Sequence, residues 1–385
     1  EADENSVFVV SKQNEKFKDN AIENGCKEII DSSELKNHID LSSIKIIGIT
    51  GTNGKTTTAA AIYSILLDLG YKVALQGTRG FFINDERVED YSLTTPVQLG
   101  NFAHIQKAMQ NNCDFFVMEV SSHAIEQKRI EGLEFALKIH TNITRDHLDY
   151  HKTIDEYIRV KNSFFEDDSK KLINKDDKIV KYNSKNGFAY SLDEPSTYKV
   201  TAYSFKNGTH VMFSHFGEMH SFSSTMMGIF NVYNLMAAVA AVHITTSKPL
   251  DEICEALEGF AGVSGRMETV STNPLAIVDF AHTPDGMKEV LQSFNEKEII
   301  CVFGAGGNRD KLKRPLMGQV AANFAKHIIV TSDNPRNEDP DMIIEDILVG
   351  IKNHPSVQVE INRKEAIKKA MEMANENSVV LVLGK

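Results

Sequence analysis

The sequence predicts an α/β protein: a central unit on a mainly parallel sheet, a smaller second α/β unit after it, and a short partial unit ahead of both. Three observations carry this. From Ser43 onward, apolar runs of strand length alternate with segments at helical spacing, the pattern of a doubly wound parallel sheet. Between Tyr198 and Met226 the period changes to alternation, which reads as antiparallel strands appended to that sheet. Near Pro274 the strand and helix pattern starts again. The expected units are residues 1–42, 43–264 and 265–385.

The first unit offers a strand at Val7–Val10 and a helix around Phe17–Asn24. The central unit opens with the apolar run Ile44–Ile49, a glycine-rich turn, and Thr56–Leu69 at helical spacing. Strands follow at Phe115–Val120 and Leu137–Ile143, and Asn207-Gly208 signals a hairpin. Helical patterns run through Asn234–Ile244 and Leu250–Phe260. The last unit shows strands at Ala276–Phe280, Ile299–Phe303, His327–Thr331, Val357–Ile361 and Val379–Leu383.

Composition narrows the function classes. The chain has 385 residues, 42% hydrophobic and 25% charged, close to ordinary globular usage, which excludes a disordered or fibrous protein. A net charge of −11 argues against nucleic-acid binding, which needs a basic face. No apolar run approaches the ~18 residues of a membrane span; the longest, such as Leu235–Val242, read as buried helix or strand. Cys26, Cys113, Cys254 and Cys301 lie far apart, which fits a reducing compartment and neither a disulfide framework nor a structural zinc site. No basic-then-apolar leader follows Glu1, so no signal peptide is expected. The chain stops at Gly384-Lys385 directly after the strand Val379–Leu383, which suggests ends cut back from a longer protein. A cytoplasmic monomer is the expectation.

The strongest chemical signal is Thr50-Gly51-Thr52-Asn53-Gly54-Lys55-Thr56, between a strand and a helix. Its N–H groups and the helix N-terminus can cradle phosphates, Lys55 can reach the terminal ones, and the Thr56 hydroxyl can ligate Mg²⁺. The first glycine of the strict pattern would fall at Ile49, and Gly48 is one residue early. An ordinary glycine-rich turn is the bland alternative. Glu119 ends a parallel strand, where α/β ligands bind, and Asn142 to Asp149, with Asp146 and His147, follows the next strand. Carboxylates and an imidazole at adjacent strand ends could hold a hard cation on nucleotide phosphates; a loop with capping aspartates is the alternative, and His147 with His151 has zinc-like spacing. Gly304-Ala305-Gly306-Gly307-Asn308-Arg309 only partly imitates a dinucleotide fingerprint and reads as a tight turn presenting Arg309. Lys311, Lys313 and Arg314 after it read as a solvated basic helix start.

Together these stretches resemble the Mur ligase family, ATP-dependent amide-forming enzymes of peptidoglycan precursor synthesis. The resemblance rests on Thr50 to Thr56, Leu93 to Pro96, Glu119 to His123, Asn142 to Asp149, Gly228 to Asn234, Gly265 to Glu268 and Asp279 to Asp285. Gly306 to Asp310 and Asp333-Asn334-Pro335-Arg336 are similar to those of the tripeptide-forming members, which add meso-diaminopimelate to UDP-N-acetylmuramoyl-L-alanyl-D-glutamate. Leu93 stands where those members often carry Asn, and their Gly-Lys-Gly-His-Glu stretch stops after Gly384-Lys385, short of a glutamate expected at the diaminopimelate amino group.

The resemblance implies a P-loop-type central domain, a Rossmann-like C-terminal domain that takes the amino acid, and a partial N-terminal domain for the uridine end. ATP and Mg²⁺ are the implied cofactors, with Gly51 to Thr56 and Arg266 on the phosphates. Asn231, Asn234 and His282 are placed near adenine, and Asp279 on the ribose. Glu119 and His147 would hold Mg²⁺, joined by Lys161 after carbamylation. Thr94, Thr95, Ser121, Gln127 and Arg129 would face the UDP-N-acetylmuramoyl dipeptide. Arg309, Asp333, Asn334, Pro335, Arg336 and Gly384 would face meso-diaminopimelate, with Arg336 on its distal carboxylate and Arg309 converging on the same pocket.

Overall fold

The computed structural model describes residues 3–4, 6–10, 14–84, 86–90, 93–206 and 208–384. Asn207 of the hairpin signal and Lys385 of the final dipeptide lie outside the described residues. Val7–Val10 (β1) pairs in parallel with Glu28–Asp31 (β2), a strand that the sequence pattern did not reveal.

The central unit is built outward from Lys45–Thr50 (β3). Val73–Gly77 (β4), Gly80–Ile83 (β5), Glu86–Glu89 (β6), Phe115–Glu119 (β7), Phe135–His140 (β8), Lys171–Asn174 (β9) and Gly187–Ser191 (β10) follow. Tyr198–Ser204 (β11), Thr209–His215 (β12) and Glu218–Ser224 (β13) complete it. They form one 11-stranded sheet in the order β13-β12-β11-β10-β9-β8-β3-β7-β4-β5-β6. The middle, from β11 to β4, is parallel. Antiparallel strands extend both edges, β12–β13 as the alternation predicts and β5–β6 unforeseen.

Both faces of the middle strands are apolar because both are covered. Ile47, Ile49, Val117, Leu137 and Ile139 pack with the helices Lys55–Asp68 and Ile229–Thr246, while Ile46, Phe116 and Met118 pack with Phe102 and Ile105 of the helix Gln98–Gln110. The helix Ile229–Thr246 starts five residues earlier than the pattern predicts, and its 18 residues are long and apolar enough to cross a membrane. Residues from Leu235 to Val242 are buried in the core instead. Gly48 belongs to this packing: a Cβ there would lie 2.5 Å from the Phe135 ring. It is a core glycine and no part of the phosphate loop.

The last unit has a 6-stranded sheet, Glu268–Thr272 (β14), Leu275–Asp279 (β15), Glu298–Phe303 (β16), His327–Val330 (β17), Val357–Val359 (β18) and Ser378–Leu383 (β19), in the order β14-β15-β19-β16-β17-β18. All pairs but β14–β15 are parallel. Cys301 and Phe303 face one core, and Ile300 and Val302 the other, against Ala366 and Ala370 of the helix Arg363–Met373.

The strand expected at Leu137–Ile143 ends at His140. Thr141 and Asn142 instead bond the loop after β3, so contacts made in the fold, which periodicity does not report, end the strand early. The strand ends of Glu119 and His147 are also not adjacent, since β3 lies between β7 and β8. The phosphate loop therefore rises between them.

Candidate active site

The loop from Thr50 to Thr56 is held by the exit of β8. Thr52 N–H donates to Asn142 O at 2.7 Å, Asn53 N–H to Asn142 Oδ1 at 2.9 Å, and Thr141 Oγ1 to Asn53 O at 2.6 Å. Glycine is required twice. Gly51 sits so close to Thr141 that a Cβ would lie 1.8 Å from its hydroxyl, and Gly54, at φ 85°, would put one 2.3 Å from Asn234 Oδ1. Gly54 leads directly into the helix Lys55–Asp68, whose free N–H groups face the loop. Lys55 Nζ is folded onto its own loop, donating to Gly51 O at 2.7 Å and Thr52 O at 2.9 Å, and burial pushes its pKa down.

Beside this loop lies a cavity of about 220 Å³ lined by both units. Asn53, Gly54, Asn231 and Asn234 come from one side, and Arg266, Asp279 and His282 from the other. Asn234 Nδ2 donates to Asn231 Oδ1 at 3.2 Å, and the Arg266 guanidinium lies 4.3 Å from the Phe280 ring centroid. Both Asp279 oxygens already accept backbone N–H groups, from Met267 at 2.8 Å and Ala281 at 2.7 Å, and burial raises its pKa.

At the end of β7, Thr56 Oγ1 donates to Glu119 Oε2 at 3.0 Å, and Thr78 N–H to Glu119 Oε1 at 2.9 Å. The backbone carbonyl of Glu119 accepts from Thr95 Oγ1 at 2.8 Å. From there a hydrogen-bonded chain runs outward. Ser121 N–H donates to Thr95 Oγ1 at 3.0 Å, Arg129 Nη1 to Thr95 O at 2.8 Å, and Arg129 Nε to Gln127 Oε1 at 2.9 Å. Thr94 joins through Thr78 at 3.1 Å. Gln127 and Arg129 line a second cavity, about 600 Å³, whose far wall includes Val9, Asn14, Asp31 and Ser32 of the first unit. Leu93 is exposed nearby in sequence and does not line either cavity.

His147 adopts φ 53°, and burial lowers its pKa to about 4. Lys161 is 1% exposed, with Nζ 3.4 Å from Thr50 Oγ1 and 5.0 Å from the Tyr157 ring centroid. Burial and the Lys55 charge hold its pKa well below the usual lysine value. Among the described residues no three His, Cys, Asp or Glu side chains converge as a metal cage. The Thr56 and Glu119 oxygens still suit Mg²⁺, which is commonly held by one or two protein oxygens, waters and substrate phosphates.

In the last unit the loops after β16 and β17 are joined. Gly307 N–H donates to Asn334 O at 2.9 Å, and Arg336 Nη1 to Gly307 O at 2.7 Å. Asp333 Oδ1 accepts from Asn334 N–H at 2.8 Å, and a Cβ on Gly384 would lie 3.1 Å from Asp333 Oδ2. Pro335 turns the chain so that its carbonyl lies against Gly307. Arg336 is exposed, whereas Arg309 leaves this group and reaches Asp149 of the central unit at 3.7 Å. The two arginines thus share a loop pair but point to different partners.

A sequence pattern described as the Mur ligase middle domain matches residues 49–242, and one described as the Mur ligase glutamate ligase domain matches residues 265–385. The chain belongs to the Mur ligase family. One curated relative is UDP-N-acetylmuramoyl-L-alanyl-D-glutamate–2,6-diaminopimelate ligase of Wolinella succinogenes, 53% identical over 380 residues, spanning 99% of this chain and 87% of that protein. A solved structure of a ligase of the same name is 29% identical and superposes with a TM-score of 0.71 over 100% of this chain and 88% of its own. Folylpolyglutamate synthase of Mycobacterium tuberculosis, 15% identical, shares the fold with a TM-score of 0.73 over 92% of this chain and 91% of its own.

Two features of this Mur ligase differ from what the sequence indicates: the surroundings of Asp146 and the burial of Lys313 and Arg314. Asp146 is a buried carboxylate where the units meet, with Oδ2 3.3 Å from His147 Nε2 and 3.9 Å from His282 Nε2. Burial alone would raise its pKa, but the cations around it hold it at about 2. Its place in the Asn142 to Asp149 run was the available signal. The second is a correction: Lys313 and Arg314 are no solvated helix start, being 7% and 1% exposed, while Lys311 is exposed as expected. Their partners are distant in sequence, so nothing local announced the burial.

Proposed function

We infer that this Mur ligase joins meso-diaminopimelate to UDP-N-acetylmuramoyl-L-alanyl-D-glutamate in peptidoglycan precursor synthesis, forming ADP and phosphate from ATP. The observation that carries the reading is Glu119. Its side chain bonds Thr56 of the phosphate loop, and its carbonyl bonds Thr95 of the outward chain. This supports a nucleotide on one side and an acceptor carboxylate on the other meeting at one strand end.

The chemistry follows from the acceptor. A carboxylate does not react with an amine at neutral pH. One of its oxygens therefore attacks the γ-phosphorus of ATP, ADP leaves, and an acyl phosphate forms. The amine then attacks the acyl carbon, loses a proton, and phosphate departs with the former acyl–oxygen bond electrons. Such transfers need positioning and charge neutralisation more than covalent help. Lys55, once turned from Gly51 O and Thr52 O, would neutralise the phosphates with Arg266. Asn231, Asn234, Asp279 and His282 would hold the nucleoside in the shared cavity. Thr94, Thr95, Ser121, Gln127 and Arg129 would orient the dipeptide, the guanidinium taking an anionic group. Arg336, Asp333, Asn334, Pro335 and Gly384 would receive the amino acid, with Arg309 joining them only once released from Asp149.

Mg²⁺, held by Thr56 and Glu119 with His147 and Lys161 nearby, would supply further neutralisation of the phosphates. Lys161 fits the modification that this requires of it. Burial and the Lys55 charge favour the neutral form of this amine, whose nitrogen can bond the carbon of CO₂ and lose a proton, giving an anionic carbamate. Loss of a ¹³CO₂-derived carbonyl signal in Lys161→Ala, with the signal present in the parent protein, is the expected result; no signal in either would remove this part.

The reading is tested by incubating the protein with ATP, Mg²⁺, the UDP-dipeptide and single amino acids. A UDP-tripeptide containing diaminopimelate, formed with stoichiometric phosphate, is expected. Phosphate release that ignores the amino acid would refute it.

A further inference from the structure

We propose that Arg314 is a positioning residue: its paired contact with Glu338 fixes the distance between the loop bearing Arg309 and the loop bearing Arg336, and with it the amino acid accepted. The proposal rests on the assignment of those two loops to the amino acid.

Arg314 lies at the start of the helix Lys313–Phe324, on the Arg309 side. Its Nη2 donates to Glu338 Oε1 and its Nη1 to Glu338 Oε2, both at 3.0 Å, and Nη1 also reaches Asp346 Oδ2 at 2.9 Å. Glu338 lies two residues after Arg336, and Asp346 is on the following helix, Pro340–Leu348. The carboxylate of Glu338 also accepts the N–H of Asn308, next to Arg309. Asn337 N–H donates to Asn308 Oδ1 at 3.2 Å. One buried guanidinium therefore stands behind both loops, and hydrogen bonds to it hold the Glu338 pKa at about 2.

Its fold contribution does not explain the arrangement. Burying an ion pair gains little over apolar packing of the same volume, and Arg314 Nε is buried without a hydrogen-bond partner among the described residues. What the pair adds is direction. A planar guanidinium facing a carboxylate edge to edge fixes distance and angle together, which a lysine ammonium does not. Meso-diaminopimelate and lysine differ by one carboxylate, so how firmly the loop bearing Arg336 is held against its neighbour decides which is bound.

The test is steady-state kinetics of Arg314→Lys and Glu338→Gln in the whole protein, with meso-diaminopimelate and with L-lysine, beside thermal unfolding. The KM for diaminopimelate should rise about tenfold, as expected for a misplaced substrate contact. Selectivity over lysine should fall in parallel, while the KM values for ATP and the UDP-dipeptide stay within about twofold. Folded variants that keep their selectivity, or that weaken ATP equally, would overturn the proposal. If neither variant folds, the pair is a fold determinant only and the proposal also fails. A parent protein without preference for diaminopimelate would instead sink the functional reading.

Discussion

The loops after β3 and β16 look alike in sequence and differ in what their glycines make room for. In Gly51-Thr52-Asn53-Gly54, the missing side chains let the backbone fold under Thr141 and Asn234 and run straight into a helix N-terminus. In Gly304-Ala305-Gly306-Gly307, they admit a neighbouring loop. A Cβ on Gly304 would lie 2.3 Å from Thr331 O, and one on Gly307 1.8 Å from Pro335 O. No helix follows there until Lys313. The first loop is shaped to approach a ligand with backbone N–H groups, the second to press two loops together so that side chains can reach one. Glycine spacing alone does not separate these uses; the atom facing each absent Cβ does.

The largest expected effect is at the first loop. Lys55→Ala should lower the turnover number by roughly 10²–10³, as loss of one fixed charge at a reacting phosphate does. ADP formation in a single turnover checks this, and a change under threefold would mean that Lys55 stays on Gly51 O and Thr52 O during reaction. At the second loop, Arg336→Ala should cost about tenfold in diaminopimelate affinity, the ~1.4 kcal/mol of one charge-assisted hydrogen bond. The effect is moderate because Arg336 is exposed. Competition with lysine provides the readout, and an unchanged preference would move selection elsewhere in the pocket.

The smallest effect concerns pH near the first loop. The His147 pKa is about 4, below the usual 6.5, so between those values the unfolded chain binds more protons and stability falls as pH falls. Asp146, at about 2 against 3.8, stabilises the fold above 3.8 and cannot offset that loss. Urea unfolding should show lower stability at pH 5 than at pH 7, and a shallower drop in His147→Gln. Equal drops would mean that His147 is protonated freely in the folded protein.

The sequence made the phosphate loop legible because one continuous stretch supplies strand, turn and helix start. Glu119 could be placed by the end of its apolar run, and the cavity residues Asn231, Asn234, Arg266, Asp279 and His282 came through the family resemblance. Legibility failed where structure depends on distant partners. Arg314 is buried by Glu338 and Asp346, and Asp146 by the approach of His282. The short strands β4, β5, β6, β9 and β10 were missed because four or five residues carry little periodicity. The position of β3 between β7 and β8 is a matter of pairing order, which hydrophobic patterning does not encode.

The division of labour between the two loops is tested most directly by Gly54→Ala and Gly307→Ala, with KM measured for ATP and for diaminopimelate in each. Gly54→Ala, strained at positive φ and crowding Asn234, should weaken ATP and leave diaminopimelate within about threefold. Gly307→Ala, crowding Pro335, should do the reverse. If Gly307→Ala weakened ATP as strongly as diaminopimelate in a folded enzyme, the two glycine loops would not have the separate tasks assigned to them.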